Sequence, residues 1–443
     1  MHFIYRPVRP IAFSAQHRLL RVLTIIMLPL ALAACHSGVS GDDAADGDKN
    51  PVALVPPPPP DEQQQPARNT AYLTVKPGDI LQVRIEELRP TQVAIGYDQV
   101  FYKLGRWQGD FERPTWAGQP AQHLDYLNRT VGKKFDDYCE DMGGTERAQH
   151  FLSIAEARIA RLDQPTTYLC KEAPGSDPSK LKTVVVGWDG NLYLTDGHHT
   201  FSSLREISDG GPALPVWVKV AANYSDLPDA ATFWQRMIDE RRVWLRDGRN
   251  QPVAVNQLPT RLGLANDHEA GGMQEDRYRS LVYFTRNVAY SNGSLPEYAE
   301  FLWGDWLRRQ VAAGHLPSLD HYMMTPPAAP AQILGVSTLS KNLTAAGAND
   351  SYAAAVRDAS LKMAALSDTD LVFDDRSAAD LGRLILLADA PGGSPTKKAR
   401  DTLEELPRDD VKVDGSPRGA GKLWFAVNYR NCGKPASGTC WGW

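Results

Sequence analysis

The first 34 residues contain no aspartate and no glutamate, although they carry Arg6, Arg9, Arg18 and Arg21. Their apolar stretch, Val22–Leu30, falls well short of the ~20 residues that a helix needs to cross a bilayer. An apolar fraction of 42% across the chain also excludes a multi-span membrane protein. There is no Gly-rich P-loop, no Ser nucleophile elbow and no H-E-x-x-H motif, so the sequence signatures of P-loop NTPases, α/β-hydrolases and zincins are missing. Only five cysteines occur, none in C-x-x-C spacing, which argues against a structural zinc site. No internal repeat is evident, which argues against a solenoid.

What is present begins with that amino-terminal segment. A basic start, a short apolar stretch and the small residues Ala33 and Ala34 before Cys35 describe a secretory signal. The run Leu32-Ala33-Ala34-Cys35 resembles the lipobox of bacterial lipoproteins. That resemblance implies cleavage before Cys35, lipidation there and a membrane partner through the lipid. His36 follows the cysteine, without the Asp associated with inner-membrane retention, so the expected location is the periplasmic side of the envelope at the outer membrane. The rival reading is a plain signal peptide with an incidental cysteine. Removing four arginines from a formal net charge of −5 leaves −9 for the mature chain, which disfavours nucleic acid as a partner outside a locally basic groove. An oxidising compartment predicts two disulfides, Cys139 with Cys170 and Cys432 with Cys440.

Residues 35–69 read as a tether, with Pro56–Pro60 and Gln63–Gln65 favouring an extended spacer. The body is expected to comprise an α+β domain over 70–225, a helical extension over 226–366 and a loop-rich segment over 367–443. Short strands are predicted around Leu73–Val75 and over Ile80–Ile85, and a helix over 145–162 with Thr145 as its N-cap. Thr183–Trp188 and Leu192–Thr195 read as a hairpin about Asp189-Gly190-Asn191. A helix carrying Phe201, Leu204 and Ile207 follows, then a strand at Val216–Val220. Helices are expected at 232–242, 298–311 and 350–366, a loop over 389–421 and a strand over Leu423–Tyr429.

Between the second hairpin strand and its helix stands Asp196-Gly197-His198-His199-Thr200. Gly197 permits a sharp elbow, and the N–H groups of the helix start make an anion site. Asp196, His198 and His199 are the candidate catalytic residues. Imidazole suits proton transfer or metal binding, and Asp196 can orient a histidine or bind a metal. A purely structural alternative is a polar helix cap, with the histidines hydrogen-bonded in place.

This elbow resembles that of the ParB/sulfiredoxin superfamily, in which a Gly-x-x-Arg or Gly-x-His-Arg turn holds nucleotide phosphates. Leu88-Arg89-Pro90-Thr91-Gln92, Gly96, Phe233-Trp234, Asp276–Leu281 and Glu300–Asp305 resemble the "putative ParB-like nuclease" branch over roughly residues 75–310. The resemblance implies a mixed sheet with helices, followed by a mostly helical part, and a phosphate-containing or other anionic ligand. It leads to a nuclease-like, phosphoester-processing enzyme, or alternatively to a non-catalytic anion- or partner-binding lipoprotein. Gly197, Thr200, Arg89, Thr91, Gln92, Lys103, Arg277 and Arg279 are the candidate ligand-binding residues. A divalent metal is a candidate cofactor, with no ligand set assigned. Thr200 stands where the superfamily places its phosphate-clamping Arg, and Arg205 replaces that clamp only if it faces the elbow. Gly197 stands where relatives in this branch often carry another His.

Overall fold

The computed structural model describes residues 68–108, 118–266, 268–291, 293, 295–323, 350–384, 397–406, 409–411 and 417–433. Strand β1 (Ile80–Arg84) follows a turn at Gly78, and β2 (Leu88–Pro90) and β3 (Ala94–Ile95) lead into helix α1 (Tyr97–Trp107). Helices α2 (Pro120–Arg129), α3 (Val131–Asp141) and α4 (Ile154–Ile159) come next. Strands β4 (Lys182–Val186) and β5 (Leu192–Leu194) form the expected hairpin, followed by α5 (His198–Glu206) and β6 (Pro215–Asn223). Then come α6 (Ala230–Asp239), the short strand β7 (Gln274–Glu275), α7 (Arg277–Thr285) and α8 (Ala299–Ala312).

The five-stranded sheet has the order β1-β6-β4-β5-β2. Two of its pairings are parallel (β6–β4, β5–β2) and two antiparallel (β1–β6, β4–β5). It is the mixed sheet, in an α+β arrangement, that the resemblance implies. Alternation explains the layering. Val184 and Val186 join the main core, whereas Val185 and Tyr193 face Phe233 and Met237 of α6 on the other side. β3 runs parallel to β7, which brings the start of α7 beside the start of α1. There Gly96 is obligatory, because a Cβ would lie 2.9 Å from the Ser280 nitrogen.

The later elements are α9 (Tyr352–Ala364), β8 (Leu371–Phe373), β9 (Arg376–Ser377), α10 (Lys397–Glu405), β10 (Asp409–Val411), β11 (Pro417–Ala420) and α11 (Lys422–Cys432). All described residues belong to one compact unit. None of its helices is long and apolar enough to cross a membrane. The signal segment, Cys35 and nearly all of the tether lie outside the described residues.

Several expectations are corrected. Leu73 lies in a turn rather than a strand, and Asn223 donates its side-chain amide to the carbonyls of Leu73 and Val75. The helix placed over 145–162 is confined to α4. Its cap is Ser153, which accepts from Glu156 N–H at 3.1 Å. The preceding stretch is held extended, because buried Arg147 pairs with Asp136 and its backbone bridges to Cys170. The loop expected over 389–421 contains α10 and the β10–β11 pair. The strand expected over Leu423–Tyr429 is helix α11, apolar on nearly every side because Leu423–Val427 is buried throughout. The disulfide Cys139–Cys170 is formed. Cys440 lies outside the described residues, and with it the expected Cys432–Cys440 pairing.

Candidate functional site

The β4–β5 hairpin delivers the chain to Gly197 at φ +99°, the N-cap of α5. An L-residue is strained in this left-handed conformation, and a Cβ would also meet the Lys182 Cγ at 2.5 Å. No side chain caps the helix, so its first N–H groups remain available. The hairpin register, Val184 opposite Leu194, carries Lys182 across from Asp196, and their charged groups stand 3.9 Å apart.

Both histidines are buried. His198 Nε2 accepts the Thr91 N–H at 3.1 Å, and His199 Nε2 accepts the Gly96 N–H at 2.9 Å. A backbone amide can only donate, so each Nε2 is unprotonated and each neutral ring carries its proton on Nδ1. Burial reinforces this state. It pushes His198 down to about 3. His199 also lies far below the ordinary imidazole range, through burial and then the nearby Arg279. The two rings therefore clamp the β2–β3 segment against α5. Thr91 sits behind His198, its hydroxyl donating to the Leu194 carbonyl at 2.6 Å and lying 3.0 Å from the Tyr298 hydroxyl.

In front of the elbow opens a cleft of about 840 Å³. Lys103, Lys182, Arg279 and Arg286 contribute positive charge to its walls, and Asp141, Asp196, Glu297 and Glu300 contribute negative charge. Most of these charges are matched. Lys103 and Lys182 lie 3.6 and 3.4 Å from Asp141. Glu300 accepts from Arg286 and Tyr290 and pairs with Arg279. Burial alone would raise the Glu300 carboxyl, but Arg279 and Arg286 prevail and hold it at about 2. Arg279 is left with work undone: it is 5% exposed, yet its Nε and Nη1 have no hydrogen-bond partner among the described residues. Buried guanidinium donors without partners are costly unless a ligand completes them.

Of the residues singled out in the sequence, Gln92, Lys103, Asp196, Gly197, His198, His199, Thr200 and Arg279 line this cleft. Thr91 supports it from behind. Arg89 does not reach it; its Nη1 donates to the Thr260 carbonyl at 2.8 Å. Arg277 pairs with Asp320 on the surface at 2.8 Å. Arg205 pairs with Glu269, so it does not replace the clamp missing at Thr200. Lys182, Asp141 and Glu297 were not anticipated. The hairpin register contained the signal for Lys182; Asp141 and Glu297 arrive from distant elements. Among the described residues no group of three or more His, Cys, Asp or Glu is placed to hold a metal ion. With both Nε2 atoms occupied, these residues do not fit a metal cage.

A family model described as "Putative ParB-like nuclease" matches residues 81–309, more than half of the chain. No curated protein matches. Among solved structures, the chain is similar to protein Atu1540 from Agrobacterium tumefaciens. The identity is 19%, the match covers 65% of this chain and 91% of that one, and the TM-score is 0.35.

Proposed function

We propose, from the premise that this chain belongs to the "putative ParB-like nuclease" family, that its cleft holds the phosphate of a phosphoester in a nuclease-like protein of the cell envelope. The observation that carries this reading is Arg279. Arg279 lines the same cleft as the uncapped α5 start, and its buried Nε and Nη1 have no hydrogen-bond partner among the described residues. A phosphate oxygen at the elbow would satisfy helix N–H groups and a guanidinium together. Lys103, Lys182 and Arg286 add the local positive charge that an acidic protein needs to take an anion. The chain thus uses Arg279, from α7, where the superfamily pattern places an Arg at Thr200.

Calorimetric titration of the full-length protein in detergent with inorganic phosphate tests this. Phosphate should bind, and Lys103→Gln should weaken it by roughly tenfold, ~1.4 kcal/mol. Absence of phosphate binding by the wild type would refute the assignment. A non-catalytic, binding-only role is the second reading, favoured by the engagement of both Nε2 atoms with backbone amides.

Envelope placement rests on the amino-terminal sequence. Cys35 is the proposed lipid attachment site. Cys35→Ser should release the protein from the membrane fraction or stall its processing; an unlipidated wild type would dismiss the anchor.

A further inference from the structure

We propose that Glu297 is the general base of this cleft, accepting the proton of a water that attacks the bound phosphoester. The inference rests on the phosphate-binding reading above and adds chemistry to it.

It begins with the groups that line the cleft and can accept a proton. His198 and His199 use their Nε2 lone pairs on the Thr91 and Gly96 amides, and their Nδ1 atoms carry hydrogen. Asp141 is shared between Lys103 and Lys182. Glu300 is enclosed by Arg279, Arg286 and Tyr290. Asp196 stands opposite Lys182, their charged groups 3.9 Å apart. Glu297 also lines the cleft but makes no hydrogen bond or ion pair with any described residue.

The backbone around Glu297 points the same way. Tyr298, the next residue, has φ +60° and forms the N-cap of α8. A non-glycine residue there is strained and persists only where its surroundings hold it. The Tyr298 hydroxyl is held twice, donating to the Arg242 carbonyl at 2.9 Å and lying 3.0 Å from the Thr91 hydroxyl. Thr91 is the residue whose amide engages His198. Thr91, whose amide engages His198, and Tyr298, the neighbour of Glu297, thus meet through their hydroxyls, each of which is fixed by its own bond to a backbone carbonyl.

The charged groups that act on Glu297 are Arg242, Asp196 and Glu240. Loss of hydration against the cleft walls raises its carboxyl most. Arg242 opposes this, Asp196 and Glu240 add to it, and the result is about 7. A base near neutrality is half available at working pH and still strong enough to take a proton.

The step balances within the cleft and solvent. Glu297 takes a proton from water as the water oxygen bonds to phosphorus. The bond from phosphorus to the leaving oxygen breaks, and that oxygen keeps the electron pair and takes a proton from bulk water. Glu297 then returns its proton to solvent. The α5 N–H groups and Arg279 hold the non-bridging oxygens, where negative charge builds.

The test uses full-length protein in detergent, with bis(p-nitrophenyl) phosphate for turnover and calorimetric titration with inorganic phosphate for binding. The wild type should bind phosphate and cleave the diester, with kcat rising through a midpoint near pH 7. Glu297→Gln should lower kcat by about 100-fold or more while phosphate binds as tightly as before, and Glu297→Asp should restore part of the rate. If Glu297→Gln turns over within threefold of wild type, or the wild type binds phosphate and cleaves no diester, the base assignment is wrong and the phosphate site stands. If the wild type binds no phosphate, both assignments fall.

Discussion

At the scale of single residues, His198 and His199 show how a motif can be legible while its partners are not. The Asp-Gly-His-His elbow, its turn and its helix could be read directly. What the imidazoles do could not, because each accepts from an amide about a hundred positions earlier in the chain. Their effect on stability has a definite sign. Both pKa values are lower in the folded protein than the ordinary 6.5. Above that pH both states are neutral at these sites and nothing is lost. Below it the unfolded chain takes up protons that the folded chain refuses, so stability falls as pH drops toward about 3 for His198. Each site contributes at most ~1.4 kcal/mol per pH unit over that window. His199→Gln keeps an acceptor near the Nε2 position and does not titrate. Denaturant midpoints measured from pH 7 to pH 4 should therefore fall less steeply in this variant than in wild type. An unchanged slope would show that His199 is not held neutral.

At the scale of elements, segments with a clear period or turn signal were legible and those without one were not. β4, β5 and β6 combine β-branched runs with a turn signal and were placed nearly correctly. α2 and α3 went unforeseen, because their buried faces, Tyr126 and Leu127, then Val131, Phe135 and Tyr138, are thinly spread among polar residues. α11 presents the opposite difficulty: an apolar stretch buried on all sides carries no period, and length alone does not separate helix from strand. What fixes α11 is its packing against α1. Arg430 donates to Asp98 at 2.8 Å and also pairs with Glu275, and the Tyr352 hydroxyl donates to Asp98 at 2.6 Å. Asp98 is almost fully buried, and burial raises its carboxyl despite Arg430. Arg430→Met removes the cation and leaves a buried carboxylate behind. The expected loss is about 3–5 kcal/mol, readable by urea unfolding. Asp98→Asn combined with Arg430→Met should recover part of it, and a single-variant loss below ~1 kcal/mol would show that the pair does not hold the helix.

At the scale of the whole molecule, the mixed-sheet class and the Cys139–Cys170 bridge were both readable, the second from cysteine number and the expected compartment. The bridge joins residues 31 apart and should contribute roughly 3–4 kcal/mol by restricting the unfolded chain. Cys139→Ala/Cys170→Ala should lower the unfolding free energy by about that much; an unchanged value under non-reducing conditions would mean that the link is not formed in solution. The placement of α11 also governs the order in which the molecule can be completed. α1 lies near the front of the body, yet Tyr429 and Arg430 pack on its Phe101 ring, 5.5 and 5.0 Å from the ring centre. Until residue 432 has been synthesised, that flank of α1 has nothing native to rest on, and buried Asp98 has no cation. A chain emerging from the ribosome therefore cannot complete that flank of its first helix by local contacts. Closure waits on one of the longest loops the chain can make, which slows folding. A nascent chain stalled before Lys422 should be cut readily by protease near α1, whereas one stalled after its last helix has cleared the tunnel should resist.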